Sequence, residues 1–142
     1  MNVKQALKLK GKVLTEISEL HGIAKNHNSI QAGNIRRFSV TESLDKASEL
    51  TKELVELKTK IHRANGPVYD KIFLMAELKG RVKVLKSIST EEGTQAGRYG
   101  SAPEMKEVEL TALDIRNMVK DLETQIEQLQ DELDVHNATT QI

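Results

Sequence analysis

Apolar residues recur in steps of three and four along four separate stretches of this chain, and that spacing constrains its fold more than any other feature. Val3, Ala6, Val13, Ile17, Leu20 and Ala24 form the first series, with Lys10 at a polar step. Ala47, Leu50, Leu54, Leu57, Ile61 and Ala64 form the second. Tyr69, Ile72 and Phe73 lead into Met75, Leu78, Val82 and Leu85, the third. Ala112, Ile115, Val119, Leu122, Ile126, Leu129 and Leu133 carry the fourth beyond three heptads. Each series places one apolar stripe on a helix, and such a stripe is stable only against a partner helix.

Turn chemistry bounds these helices. Ser39 with Glu42 has capping-box spacing, and so does Thr111 with Asp114 apart from the shorter acid. Asn65-Gly66-Pro67 reads as a stop followed by a restart. The expected helices are 3–27, 41–64, 68–89 and 111–137, joined by loops 28–40 and 90–110. The fold class is therefore all-α. The expectation is one domain over residues 1–142, an antiparallel four-helix bundle with coiled-coil character. Val108 and Leu110 alternate with Glu107 and Glu109, a strand-like pattern that Ile35, Phe38 and Val40 would face. A short β-ribbon or ordered loops are expected at one end. A shift of 72 residues lays Ala47, Leu50, Leu54, Leu57 and Ile61 onto Val119, Leu122, Ile126, Leu129 and Leu133, as in a duplicated helical hairpin.

Composition narrows the function classes. Lysine plus arginine and aspartate plus glutamate each number 21, so the 142-residue chain has zero formal charge. A globally basic nucleic-acid binder is excluded, and basic and aromatic residues are not interleaved. Aromatics make up only 3% of the chain, against the needs of a β-sandwich. No cysteine is present, so disulfides and thiolate-bound metals are excluded. No apolar run has the length of a membrane span, and a soluble cytoplasmic protein without membrane association is expected. Charge is unevenly spread. Residues 1–40 hold seven bases against two acids, and residues 111–142 hold seven acids against two bases. Complementary charge would lay the first helix beside the fourth, within the chain or between subunits.

Catalytic signatures are missing. There is no nucleophile elbow, Walker loop, His-Glu-x-x-His or dinucleotide fingerprint. Of the four histidines, His21, His27, His62 and His136, the last is one helical turn from Glu132 and could share a metal with it, but the further inward glutamates of a di-iron bundle are missing and the a and d positions are aliphatic. No metal, no cofactor and no enzyme activity are expected. Recognition chemistry is richer. Gly93-Thr94-Gln95-Ala96-Gly97-Arg98-Tyr99-Gly100 offers close backbone approach, a guanidinium fork for phosphate and a stacking ring. Arg36-Arg37 repeats the guanidinium chemistry in the other loop. Asn65 and Asn137 follow the last apolar residues of their helices. Each has a helix C-capping reading and a ligand- or subunit-contacting one.

The sequence also resembles the septicolysin-like family of small helical bacterial and phage proteins, a family without an established function. The likeness rests on Leu129, Asp134, Asn137, Thr139 and Thr140 in a leucine-spaced helix running into Asn-x-Thr-Thr. Ile61-His62-Arg63-Ala64-Asn65 is similar to that family's central turn. Arg98-Tyr99-Gly100-Ser101 with Glu104-Met105-Lys106 is similar to its loop before the last helix, and Asn28 to Gly33 to the end of its first helix. Asn34-Ile35-Arg36-Arg37 departs from it, being basic where the family tends to be acidic, and Ala138 stands where an aromatic is common.

The combined expectation is a non-enzymatic homo-oligomer, because the apolar stripes exceed what one thin bundle satisfies. It would sequester a small anionic nucleotide-type molecule, as a phage sponge for a host immune signal would. The expected ligand-binding residues are Arg36, Arg37, Arg63, Asn65, Arg98, Tyr99, Asn137 and Thr139. The alternative is a structural or adaptor protein that binds another helical protein.

Overall fold

The computed structural model describes all 142 residues. Four helices dominate: α1 (Val3–His27), α2 (Val40–Ala64), α3 (Tyr69–Ser87) and α4 (Ala112–Thr139). A 3-10 turn, Gly66–Val68, separates α2 from α3. The chain divides into two compact units, Met1–Val68 with Asp134–Ile142, and Tyr69–Leu133.

In the first unit α1 and α2 lie antiparallel, with Glu16 paired to Lys46 at 2.6 Å. That side-chain hydrogen bond, aided by the carboxylate's charge, pushes the Lys46 pKa up. The expected stripes are the buried faces: Val3, Ala6 and Val13 of α1 and Ala47, Leu54 and Ile61 of α2. Asn2 starts α1 with a reciprocal capping box. Its Oδ1 accepts from the Gln5 N–H at 2.9 Å, and Gln5 Oε1 accepts from the Asn2 N–H at 3.0 Å. The end of α4 and the residues beyond it close this unit. Val3 N–H donates to Thr140 O, Ile142 N–H donates to Met1 O, and Asn2 bridges Gln141 in antiparallel fashion. Nothing in the stripe pattern announces this closure, because it is made by backbone groups.

In the second unit α3 and α4 run antiparallel, with Lys71 paired to Glu132 near one end and Lys86 to Glu123 at 3.6 Å toward the other. Leu78, Val82 and Leu85 of α3 pack with Ile115, Val119 and Leu122 of α4, flanked by Ile126 and Leu129. Thr111 and Asp114 form the capping box that starts α4. Asp114 accepts from the Thr111 N–H at 2.9 Å, and the Thr111 hydroxyl accepts from the Asp114 N–H. The ion pairs thus join α1 to α2 and α3 to α4. Each helix meets the neighbour its stripe faces, and Lys71 and Lys86 of α3 pair with Glu132 and Glu123 of α4.

The helix bounds match the sequence reading to within two residues, with two corrections. Asn65 caps α2, its N–H donating to Ile61 O at 3.0 Å. Asn137 caps nothing, because α4 continues to Thr139. Ala138 and Thr139 extend the helix, and the Thr140 N–H still donates to His136 O. The ribbon is also displaced. It pairs β1 (Gly93–Gln95) with β2 (Glu104–Lys106), in register Thr94 with Met105. Residues 107–110 are not strand, and Ile35, Phe38 and Val40 do not belong to the ribbon. A local hairpin needs no long-range closure, and that outweighs a weak two-residue alternation.

Two measurements test this architecture. Leu122→Ala should lower stability by about 2–5 kcal/mol in denaturant unfolding, since it empties part of the second unit's core. The Asp114 carboxyl is held below its ordinary pKa, first by the Thr111 N–H and then by the Thr111 hydroxyl. A lowered folded-state value stabilises the fold above the unfolded pKa and ceases to do so as pH falls through the folded one. Asp114→Asn should therefore flatten the acid limb of the stability–pH curve below the usual carboxylate range.

Candidate functional site

The segment between α1 and α2 folds onto the helix ends on either side of it. At the end of α1 the carbonyls of the last residues have no intrahelical donor. Arg36 fills that need: Nη1 donates to His27 O at 2.7 Å and Nη2 to Asn28 O at 2.9 Å. Gly33, at φ +88°, supplies the left-handed bend that turns the chain back. The Asn34 N–H donates to Gln31 O in the same turn. Phe38 then lies against His27, ring centroids 4.7 Å apart. Arg37 stays exposed.

At the start of α2, Ser39 is the N-cap. Its Oγ accepts from the Glu42 N–H at 3.2 Å, and its carbonyl accepts from both the N–H and the hydroxyl of Ser43. The Val40 and Thr41 N–H groups, in the first turn, have no intrahelical acceptor. A cleft of about 470 Å³ opens over them, lined by Asn28, Arg36, Arg37, Phe38, Ser39, Val40 and Thr41. A second, about 300 Å³, shares Arg36, Arg37 and Phe38. No acidic residue lies between Glu19 and Glu42, while Lys25, Arg36 and Arg37 do. Helix-terminal N–H groups, the positive end of the helix dipole and two guanidinium charges favour an anion here, against the single carboxylate of Glu42 in the first turn.

The other expected residues sit elsewhere. Arg63 and Asn65 are at the far end of α2, whose 25 residues span about 37 Å. Arg36 and Arg37 therefore do not share a pocket with them inside this unit. Asn65 Oδ1 and His136 Nε2 are buried without a partner. Asn137 is half-buried in the last turns of α4, and the Thr139 hydroxyl donates back to Val135 O at 2.8 Å. Thr139 thus spends its donor on its own helix.

In the second unit Arg98 lines a cleft of about 320 Å³ with Gln95, Ala96, Ser101, Glu104 and Lys106. Lys106 is already paired with Glu91 at 3.0 Å. The Ser101 hydroxyl and N–H both donate to Arg98 O, closing a tight turn. Tyr99 at its centre has φ 53° and ψ 38°, a left-handed conformation costly for a side chain of this size, and its ring is fully exposed. The tyrosine is displayed, as a stacking role would require, but it does not line the Arg98 cleft.

Sequence reasoning found the two arginines and missed Phe38, Ser39, Val40 and Thr41. The signal was present: only Phe38 separates Arg36-Arg37 from Ser39, whose capping-box spacing to Glu42 marks a helix start. No group of three or more His, Asp or Glu side chains is placed to hold a metal ion. No helix is long and apolar enough to cross a membrane. No family model matches the chain, and no curated protein or solved structure does either.

The glycine inside the Arg98 loop gives a direct test of its geometry. A Cβ on Gly97 would lie 2.2 Å from Ser101 O. Gly97→Ala should remove amide-exchange protection across β1 and β2 while protection in α3 and α4 persists.

Proposed function

We propose that this protein is a non-enzymatic, self-associating binder that sequesters a small anionic molecule of nucleotide type. The observation that carries the reading is the start of α2, where the unused N–H groups of Val40 and Thr41 meet Arg36 and Arg37 under one cleft. A phosphate group fits the N–H groups and the Arg37 fork, while Arg36, anchored to the α1 carbonyls, holds its charge in place without needing to be ordered on binding. Phe38, half-exposed at the cleft wall, offers its ring to a base. Displayed on a separate loop, Tyr99 is a second stacking face. No catalytic group faces the cleft, so binding without turnover is the activity assigned, the behaviour of a sponge for a nucleotide signal in phage anti-defence.

Self-association is the second half of the reading. Large side chains such as Phe73, Val84, Leu113 and Val135 are each exposed by about 60%. Helix seams of coiled-coil type, repeated under the 72-residue shift as a duplicated hairpin, suit repeated helix-on-helix contacts between copies.

The alternative, an adaptor for another helical protein, draws on an apolar cleft of about 250 Å³ in the first unit, lined by Met1, Leu9, Val13, Leu57 and Ile142 among others. Calorimetry with pyrophosphate and a panel of cyclic and linear nucleotides separates the readings. Binding should weaken at least about tenfold in Arg37→Ala, which removes the free fork, and measurably in Val40→Pro, which deletes one N–H at a helix position that accepts proline. Binding that ignores both changes, or no binding by any phosphate compound, overturns the anion site.

A further inference from the structure

Helix α3 is apolar on two opposite faces. Met75, Leu78, Val82 and Leu85 are at most 9% exposed and face α4. At 100° per residue, Phe73, Glu77, Gly80 and Val84 fall within about 60° of one another on the far side. Phe73 and Val84 are each 63% exposed, and Ile88, one residue past the helix, is 40% exposed. Tyr69 stacks on Phe73 at 5.6 Å and extends the patch. A second apolar strip left in water on an otherwise charged helix is a candidate contact surface. In the second unit only one of these faces has a partner.

Two further features of this outer face point to the occupant. Gly80 sits at its centre, in mid-helix, where glycine costs about 1 kcal/mol relative to alanine. A Cβ there would meet nothing in the chain, so the fold of the chain itself does not require glycine. A bare backbone at that point permits close approach by another helix. Asp70, Glu77 and Arg81 border the patch on one side and Lys83 on the other; Glu77 and Arg81 have opposite sign, and neither forms a salt bridge within the chain. Lys79 and Lys86 lie round toward the α4 side, and Lys86 is taken by Glu123.

We propose that this face docks against the same face of a second copy of the chain, the two α3 helices antiparallel and crossing at Gly80. A two-fold arrangement makes the patch complementary to itself. Phe73 then packs near Ile88 of the partner subunit and Val84 alongside Glu77 of the partner subunit, whose carboxylate reaches Arg81 of the first copy. The symmetry gives that ion pair twice. A parallel arrangement would place Glu77 beside Glu77 of the partner subunit and lose both pairs. The proposal rests on the self-association put forward above and names its surface.

Sedimentation equilibrium across micromolar concentrations tests it, with circular dichroism reporting helix content. Val84→Glu places a charge on the contact without touching the core, and should weaken association at least about tenfold at unchanged helicity. Glu77→Arg and Arg81→Glu should each weaken it, and the double reversal should restore it, which mere loss of folding cannot imitate. Gly80→Cys introduces the sole thiol of a cysteine-free chain. Mild oxidation should link two copies through it, whereas Glu109→Cys should give no such product. A wild-type chain that associates equally well in every variant overturns this face and leaves self-association standing. A wild-type chain that is monomeric throughout overturns both, while the anion site is judged separately by calorimetry.

Discussion

Everything in this molecule depends on apolar stripes closing pairwise, one helix against one other. With aromatics at 3% of the chain, no large side chain anchors a deep core. Burial is spread instead over many aliphatic residues of modest size, in two seams, one in each unit. Each seam hides only about one side of its helices, and the remaining sides stay wet. The caps, turns and ribbon are then local solutions to what the seams leave over: helix ends with unpaired N–H and C=O groups. Asn2, Ser39 and Thr111 answer the N-terminal need, and Arg36 answers the C-terminal one for α1.

That division of labour explains what the sequence could and could not tell. The period of three and four residues is a direct imprint of seam packing, so the four helices and nearly all buried positions were readable. Asn65 was readable as a cap because Gly66 and Pro67 follow it. Asn137 has no such followers, and the backbone ran on through Ala138 and Thr139. The ribbon is hard to read because Gly93–Gln95 has no apolar residue and Glu104–Lys106 has only Met105, too short a pattern to mark a strand. They are held by main-chain bonds within one loop. The tail that closes the first unit escaped notice for the same reason.

The candidate site follows from the same logic. Arg36 and Arg37 are adjacent in sequence and chemically alike, yet the fold gives them different work. One is fixed to the carbonyl end of α1 and the other is left facing solvent above the N–H end of α2. Residue type alone cannot make that distinction; it is set by which carbonyls lack donors. Arg63, at the opposite end of the same helix, shows the converse: a residue of the right chemistry placed some 37 Å from the others by helix length alone.

The hydrogen bond from Asn2 Nδ2 to Ala138 O spans 136 positions of chain, and the two backbone hydrogen bonds beside it, Val3 to Thr140 and Ile142 to Met1, span slightly more. Assembly of the first unit is therefore not a local event. The hairpin of α3 and α4 can zip from its own turn, but α1 and α2 remain unsealed until a segment from the other extreme of the polypeptide arrives. Joining such distant positions carries a larger loop-closure entropy than closing either helical hairpin does, so this seal is the most non-local contact of the first unit.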